Sequence, residues 1–310
     1  MDPILALAGF GVGVVVGLTG MGGGALMTPM LVLFFNVPPL AAVSSDLAAS
    51  AVMKPFGGFV HARRGTVNWA LVRWLCLGSV PAAFLGVLVM RALGDADSVQ
   101  TIVQYALAGA LLLAAVGLVL KSYQGRKKPQ GDAVVQVRPL PTALLGAVGG
   151  LVVGMTSVGS GSLIIVILLM LYPMLRANDL VGTDLVQAIP LVAAAALGHA
   201  LFGDLKLDLA AAVLIGSVPG VLLGSRLSSR APAGVVRVAL VAVLLASAAK
   251  LLGAPGWVVI TVPAAVVLGA TAQALGKRRR GRPVARELEE LPAENRISSG
   301  ASPSGATSWV

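Results

Sequence analysis

The chain has 310 residues, of which 57% are hydrophobic and only 12% are charged, and its mean hydropathy is +0.90. Soluble domains carry about 25% charged residues, so the composition excludes a soluble globular protein and indicates an integral membrane protein. The formal net charge of +10 is better explained by cytoplasmic loops and contact with anionic lipid headgroups than by nucleic-acid binding.

Apolar runs long enough to cross a bilayer follow one another along the chain. A spanning helix needs about 20 predominantly apolar residues, and runs of this kind lie at 40–60, 68–90, 100–120, 177–201, 207–227, 233–252 and 256–275. They are too long and too little alternating for the strands of a barrel. The predicted fold class is therefore all-α and polytopic.

A glycine-rich segment at residues 17–26 returns at 154–163, a spacing of 137 residues. Apolar composition alone would not align rare polar residues in the same register, so an internal duplication is predicted. After one inserted position the spacing becomes 138, and the matched positions are Asp46 with Asp184, His61 with His199, Gly65 with Gly203, and Gly78-Ser-Val-Pro81 with Gly216-Ser-Val-Pro219.

Positive charge outside the apolar runs predicts the topology. The basic segments at 121–138 and 277–282 are both expected in the cytoplasm, which requires an even number of crossings between them. Five apolar units lie between the two basic segments. The number of crossings is even if the unit at residues 140–174 enters and leaves the membrane by the same face. This unit then forms two short half-helices that meet at Ser157 to Ser162. The same reasoning, applied to the first half, predicts that the two repeats have opposite orientations in the membrane. It also predicts that the N-terminus lies outside.

The predicted organisation has four parts. They are a first transmembrane repeat at 1–120, a cytoplasmic basic linker at 121–138, a second repeat with an extra final span at 139–276, and a cytoplasmic, disordered tail at 277–310. Each repeat combines spanning helices with one re-entrant glycine-rich hairpin. The total is about seven full spans and two hairpins, with eight or nine spans as the alternative.

The two glycine-rich breaks are the predicted substrate site. Irregular backbone at membrane depth is tolerated only where it lines a cavity or is buried in protein, and a helix that restarts after a break directs its positive end at it. This combination favours a small anion, whereas the alternative is that small residues merely allow close helix packing. The candidate binding residues at the breaks are Thr19, Gly22, Gly23, Gly24, Thr156, Ser157, Gly159, Ser160, Gly161 and Ser162.

Charged residues inside the spans are further candidates, because each costs at least about 2.5–3.5 kcal/mol at the bilayer centre. Lys54 lies two helical turns after Asp46, on the same face, and is predicted to neutralise an anionic substrate; the alternative is that it snorkels to the interface. Gln187, one turn after Asp184, is a predicted neutral partner in the substrate site.

Four titratable residues are candidates for ion coupling. Asp46 and Asp184 are interpreted as protonatable or cation-binding carboxylates, with helix capping as the alternative. His61 and His199 are interpreted as proton-relay groups, because imidazole titrates near neutral pH. The alternative for both histidines is a hydrogen-bonded structural role.

The duplicated glycine motif with Pro29, the segment Val181-Gly-Thr-Asp184 and the repeated Gly-Ser-Val-Pro elements resemble the TauE/SafE sulfite-exporter family, also called the toluene sulfonate uptake permease family. The resemblance covers roughly residues 4–275. It implies a multi-pass carrier of the bacterial inner membrane that moves sulfite, sulfonates or related sulfur oxyanions, coupled to an ion gradient. The second copy has Val166 in place of Pro29 and Ser160 in place of Gly23, which leaves the substrate open.

Two rival functions remain at this stage. One is a passive anion channel, and the other is an intramembrane hydrolase with Ser160 or Ser162 as nucleophile and His199 as base. The sequence shows no catalytic triad, metal-ligand set or nucleotide-binding P-loop, so neither catalytic residues nor a cofactor nor a metal is expected. The expected partners are the small anion and the lipid bilayer, and a homo-oligomer is compatible with the sequence.

Overall fold

The computed structural model describes residues 3–19, 23–92, 96–124, 136–161, 163–172, 175, 177–202, 205–227 and 233–271. Across these ranges the chain is helical and contains no β-strand, which confirms the all-α prediction. The predicted linker 121–138 overlaps the end of one helix and lies largely outside the described residues, and the predicted tail 277–310 lies wholly outside them.

The helices divide into two matching series. In the first half they are α1 (Pro3–Thr19), α2 (Gly24–Phe34), α3 (Pro39–Arg63), α4 (Trp69–Ala92) and α5 (Ala96–Gln124). In the second half they are α6 (Pro139–Thr156), α7 (Leu163–Leu171), α8 (Ala177–Phe202), α9 (Leu207–Leu227) and α10 (Ala233–Leu251), followed by α11 (Gly256–Thr271).

Each predicted spanning run corresponds to one helix, from α3 to α5 and from α8 to α11. Within the described part of the chain, five segments are long and apolar enough to cross a membrane: Trp69–Ala92, Ser98–Val119, Pro139–Thr156, Asp179–Phe202 and Leu207–Gly224. Helix α3 has 25 residues but is less apolar, because its first half carries three serines and an aspartate and its second half a lysine. The chain is therefore a multi-pass membrane protein.

Both glycine-rich breaks occur where the sequence places them. The first break, residues 20–23, separates α1 from α2, and the second break, residues 157–162, separates α6 from α7. The prediction of two short half-helices is wrong in one respect, because α6 has 18 residues while α7 has only 9. At 1.5 Å per residue α6 is about 27 Å long, so only the second arm is short.

The first helix of each half packs against the fourth helix of the other half, α1 on α9 and α6 on α4. Both pairs run parallel, since Gly78 faces Ala143 while Gly86 faces Leu151 further along both helices. A Cβ on Gly78 would lie 1.9 Å from the carbonyl oxygen of Ala143, and one on the matched Gly216 would lie 1.8 Å from that of Ala6. The repeated Gly-Ser-Val-Pro elements are therefore close-packing positions between helices.

The matched helices α3 and α8 run antiparallel to each other. Ser44 near the start of α3 contacts His199 near the end of α8, whereas Gly58 near the end of α3 faces Val186 in the first half of α8. Equivalent helices that point in opposite directions are what inverted repeats require. Ser157 and Ser160 of the second break contact α3 of this central pair.

Candidate functional site

Asp46 lies in the interior of α3 and is buried, with 1% of its surface exposed. Its Oδ2 accepts hydrogen bonds from Thr28 Oγ1 and from Ser157 Oγ, both at 2.7 Å, and Ser50 is a further hydrogen-bonding side chain. The carboxylate therefore joins α2 and α3 of the first half to the second break. Because α3 begins seven residues earlier at Pro39, Asp46 cannot cap it, and the capping alternative is wrong.

The start of α2 touches the second break at Gly24 and Ser157. A Cβ on Gly24 would lie 1.9 Å from the carbonyl oxygen of Ser157, so no other residue fits there without displacement. A Cβ on the neighbouring Gly23 would lie 4.0 Å from Asp46 Oδ1. The positive end of α2, predicted to face a substrate anion, thus already lies beside a carboxylate of the protein itself.

Lys54 is buried, with 8% of its surface exposed, and its Nζ donates a hydrogen bond to Ser160 Oγ in the second break. This contact excludes snorkelling to the interface. Lys54, the one lysine in α3, therefore brings a positive charge to the second break.

The backbone of the second break needs its glycines. Gly159 and Gly161 have φ of 131° and 93°, which residues with a Cβ rarely adopt. The carbonyl oxygen of Gly159 accepts from Leu163 N at 3.0 Å and Ile164 N at 3.2 Å, so helical bonding resumes at once in α7. Ser160 is thereby held between two fixed glycines at the positive end of α7.

Thr156 and Ser157 fix the other side of this break. Thr156 Oγ1 donates to the carbonyl oxygen of Val152 at 2.6 Å and accepts from Val158 N at 3.2 Å. Ser157 has a left-handed backbone with φ of 59°, which turns the chain out of α6 and directs its hydroxyl to Asp46. Both residues hold the break in shape, whereas the hydroxyl of Ser160 contacts Lys54.

Asp184, the counterpart of Asp46, has different partners. Gln187 Nε2 donates to Asp184 Oδ1 at 3.2 Å, and Ser79 Oγ of α4 donates to Gln187 Oε1 at 3.4 Å. Asp184 lies in the interior of α8 and is buried, so the capping alternative is wrong here as well. The side-chain amide of Gln187 thus donates to Asp184, whereas the hydroxyls of Thr28 and Ser157 donate to Asp46.

The two histidines differ just as strongly. His199 is fully buried, and its Nδ1 lies 2.7 Å from Ser44 Oγ while its Nε2 lies 2.7 Å from the carbonyl oxygen of Gly154. His61 is half-buried at the end of α3 and makes a local contact with Thr66 Oγ1 at 2.9 Å. The structure thus places His199 at the junction of α3, α6 and α8, and His61 at a loop.

The remaining predicted residues lie at the edge of what the structure describes. Thr19 ends α1, while Gly22 and Ser162 lie outside the described residues. Four polar residues of the centre were missed from the sequence: Thr28, Ser44, Ser50 and Ser79. The repeat alignment could have identified Thr28, because its counterpart in the second copy is the apolar Ile165. Among the described residues, no cluster of three or more histidine, cysteine or acidic side chains is placed to bind a metal ion.

A buried polar centre between broken helices, enclosed by two inverted halves, defines a multi-pass membrane protein of the transporter type. A family model described as sulfite exporter TauE/SafE matches residues 5–251. The chain therefore belongs to the TauE/SafE family of membrane transporters, as the sequence motifs predicted.

Relatives along most of the chain carry transporter names. The probable membrane transporter protein YjnA of Bacillus subtilis (strain 168) is 38% identical over 258 residues, which is 81% of this chain and 100% of that protein. The probable membrane transporter protein YdhB of the same organism is 26% identical over 240 residues, or 76% and 94% of the two chains. The probable membrane transporter protein MJ0441 of Methanocaldococcus jannaschii is 30% identical over 182 residues, or 56% and 64%. No solved structure matches.

Proposed function

We propose that this chain is a secondary transporter of small anions, with sulfite or sulfonates as the favoured class, in a bacterial inner membrane. The observation that carries the proposal is the hydrogen bond from Lys54 Nζ to Ser160 Oγ. It places a buried ammonium and a hydroxyl together beside the start of α7, where backbone N–H groups and the helix dipole also favour negative charge. A sulfur oxyanion offers several acceptor oxygens to such donors.

Alternating access is supported by two matched contacts at opposite ends of the α3–α8 pair. Ser45 Oγ donates to the carbonyl oxygen of Lys206 at 3.4 Å, and Asn68 N donates to Thr183 Oγ1 at 3.0 Å. Ser45 corresponds to Thr183, and Asn68 to Lys206, so the same pair of matched positions is in contact twice in inverted orientation, with the hydroxyl as donor in one contact and as acceptor in the other. We propose that the two ends open in turn around the central site.

The test is transport by the purified protein in liposomes, with sulfite and a short alkanesulfonate as probes. Lys54→Gln is expected to weaken binding of the probe at least about tenfold, because hydrogen bonds to charged groups contribute about 1.5–3 kcal/mol. The control is Lys250→Gln, which removes an exposed lysine near the end of α10 and should leave transport unchanged. Equal affinity in the Lys54 variant would place the substrate elsewhere.

A passive channel remains the alternative, and coupling to an ion gradient separates the two. A carrier accumulates the anion against its concentration gradient when a proton or sodium gradient is imposed, whereas a channel only equilibrates it. Uphill accumulation in liposomes therefore supports the proposal. Simple equilibration under every imposed gradient would contradict it.

An intramembrane hydrolase is a second candidate, because a lysine beside a serine is a known nucleophile–base pair. The pairing of His199 with Ser160 or Ser162 receives no support, since both ring nitrogens of His199 contact Ser44 and the carbonyl oxygen of Gly154. Ser160→Ala separates the functions: a hydrolase loses peptide cleavage completely, while a carrier shows a graded change in anion flux.

The orientation and partners also belong to this proposal. The basic segments at 121–138 and 277–282 place the linker and the C-terminal tail in the cytoplasm, next to anionic lipid headgroups. The partners are then the small anion and the bilayer, without nucleic acid, and a homo-oligomer is compatible with the chain.

A further inference from the structure

We infer that His199 is a buried proton-binding site and that its proton is the ion whose gradient drives transport. The site consists of the imidazole ring, the hydroxyl group of Ser44 and the carbonyl oxygens of Leu40 and Gly154. The role in coupling rests on the proposed function, because it requires a carrier, whereas proton binding at the ring does not.

The contact with Gly154 assigns one proton to the ring. Nε2 lies 2.7 Å from the carbonyl oxygen of Gly154, and because that oxygen only accepts, Nε2 must carry a proton. The carbonyl lies in the last turn of α6, which ends at Thr156. The N–H of Val158, four residues after Gly154, bonds to Thr156 Oγ1 instead. His199 thus caps a carbonyl group that the end of the helix leaves without its usual partner.

The contacts of Ser44 assign a second proton to the ring. Its Oγ lies 2.8 Å from the carbonyl oxygen of Leu40 and 2.7 Å from Nδ1 of His199, but the hydroxyl has a single proton to donate. Beside a neutral ring, one of these two contacts would join two acceptors with no hydrogen between them. A ring that is protonated at Nδ1 donates to Oγ, while Oγ donates to Leu40. The geometry therefore fits the charged imidazole, and only the Ser44 hydroxyl has to rotate when Nδ1 loses its proton.

A buried cation requires compensation, and the end of α6 provides it. The carbonyl groups at a helix C-terminus act as about half a negative charge and stabilise a nearby cation, and His199 contacts one of them directly. The carboxyl group of Asp46, two residues after Ser44, also lies at this end of α6, because it accepts from Ser157. The charged ring therefore lies where α6 ends and the second break begins.

Most other titratable or charged side chains on the helices packed around α8 are distant from His199. Helices α6 and α7 carry none. Lys54 follows Ser44 by ten residues, about 15 Å along α3, and Asp184 precedes His199 by fifteen residues, about 22 Å along α8. Six more lie at or towards the other end of the α3–α8 pair: His61, Arg63, Arg64, Arg73, Cys76 and Asp179.

Two cations lie near the end of α8 that carries His199. The guanidinium group of Arg91 lies 4.7 Å from the ring centroid of Phe202, three residues after His199. Lys206 belongs to the loop after α8. Both cations are exposed, so water and salt screen their charges.

Proton binding at His199 affects the closure of one end of the α3–α8 pair. The contact between Nδ1 and Ser44 joins these two helices, and the adjacent Ser45 donates to the carbonyl oxygen of Lys206 in the loop after α8. A hydrogen bond from a charged ring is roughly twice as strong as a neutral one, so a proton at Nδ1 stabilises the closed end. By the same linkage, opening of this end separates Ser44 from the ring and favours release of the proton.

The first test observes the ring directly. The chain has two histidines, so His61→Gln leaves His199 as the single imidazole in a nitrogen NMR spectrum of histidine-labelled protein. We expect Nε2 to be protonated at every pH and Nδ1 to gain a proton reversibly as pH falls. The inference is overturned if Nδ1 never changes its protonation over the pH range in which the protein is folded, or if the neutral ring carries its proton on Nδ1.

The second test separates coupling from transport in liposomes. A gradient of about one pH unit can concentrate an anion that moves with, or in exchange for, one proton by up to about tenfold. We expect this accumulation of methanesulfonate in the wild-type protein. His199→Gln can still donate to Gly154 but cannot bind a proton, so accumulation should fall to simple equilibration while exchange of labelled methanesulfonate continues.

The matched histidine supplies the control. The counterpart of Ser44 in the second half is Gly182, and His61 makes a local contact with Thr66, so His61→Gln should accumulate methanesulfonate like the wild-type protein. If His199→Gln loses exchange as well, Ser44→Ala decides, because it leaves the contact with Gly154 in place. It should retain exchange and lose accumulation, and accumulation equal to that of the wild-type protein would overturn the inference.

The outcomes separate the inference from the proposed function. Accumulation that persists in His199→Gln, or that a sodium gradient drives and a proton gradient does not, overturns the coupling role and leaves an anion carrier. A wild-type protein that moves neither methanesulfonate nor sulfite contradicts the proposed function itself, and the coupling role falls with it. The NMR titration still decides whether His199 binds a proton.

Discussion

Ser157 Oγ donates a hydrogen bond to Asp46 Oδ2 at 2.7 Å, across 111 residues of sequence and between the two inverted halves. Thr28 donates to the same oxygen, so one buried carboxylate connects the second break to α2 and α3. The start of α2 approaches so closely that a side chain on Gly24 would overlap Ser157. The start of α2 and the second break are therefore one structural unit, assembled around the buried carboxyl group of Asp46.

Removal of the Ser157 hydroxyl tests this unit. We expect Ser157→Ala to lower the free energy of unfolding by about 1–3 kcal/mol, because Asp46 remains buried with one donor fewer. Thermal unfolding in detergent measures the change. The control is Thr271→Ala, which removes an exposed hydroxyl bonded to the carbonyl oxygen of Leu268. Equal stability of the two variants would show that the bond to Asp46 contributes nothing.

The contact between the breaks makes a second prediction. Gly24→Ala is expected to push α2 away from Ser157, since its Cβ would lie 1.9 Å from a backbone oxygen that cannot rotate aside. Overpacking of this kind costs about 1–3 kcal/mol and should reduce transport as well as stability. Gly11→Ala is the matched control in α1, because nothing lies within 4 Å of its added Cβ. A fully active Gly24 variant would contradict the described contact.

The two histidines provide a third prediction, since their contacts differ although their sequence positions correspond. His199→Ala should destabilise the protein by about 1–3 kcal/mol, because it removes the buried hydrogen bond to the Gly154 carbonyl oxygen and one of the two contacts of the Ser44 hydroxyl, which keeps its bond to the carbonyl oxygen of Leu40. His61→Ala removes a local, half-buried contact with Thr66 and should cost less than about 1 kcal/mol. Unfolding curves of both variants measure the loss of stability. A larger loss of stability in His61→Ala than in His199→Ala would contradict the structure.

The sequence predicts the helices and the breaks well because both depend on local signals. Apolar length defines a span, and glycine-rich interruptions define a break, without knowledge of any neighbour. The unequal arms of the second hairpin were missed because Pro139–Thr156 and Leu163–Leu171 are both apolar. Apolar composition alone does not tell where a helix of this kind ends or how far it crosses.

The polar centre was predicted only in part, because its contacts join residues far apart in sequence. Asp46 and Lys54 stood out as charges in apolar surroundings, but their partners Ser157 and Ser160 come from the other half. Thr28 was overlooked because a single threonine is unremarkable in an apolar helix. Equivalent residues also acquire different roles when their neighbours diverge, and a repeat alignment cannot reveal that.

Inversion of the two halves makes the last prediction. The loop after α3 contacts the start of α8 through Asn68 and Thr183, while the loop after α8 contacts the start of α3 through Lys206 and Ser45. Since α3 and α8 run antiparallel, these two loops lie at opposite ends of the pair. With the basic segments inside, the loop after α3 should face the cytoplasm and the loop after α8 the exterior.

Cysteine labelling measures this directly, because Cys76 is the single cysteine of the chain and can be replaced by alanine. Arg64→Cys and Lys206→Cys then place one thiol at each loop, both at exposed positions, and the Lys206 contact uses a backbone oxygen that the substitution preserves. A membrane-impermeant maleimide should label Lys206→Cys in intact cells and Arg64→Cys only after permeabilisation. The reverse pattern would invert the orientation, whereas labelling of both from one face would contradict the inverted architecture itself.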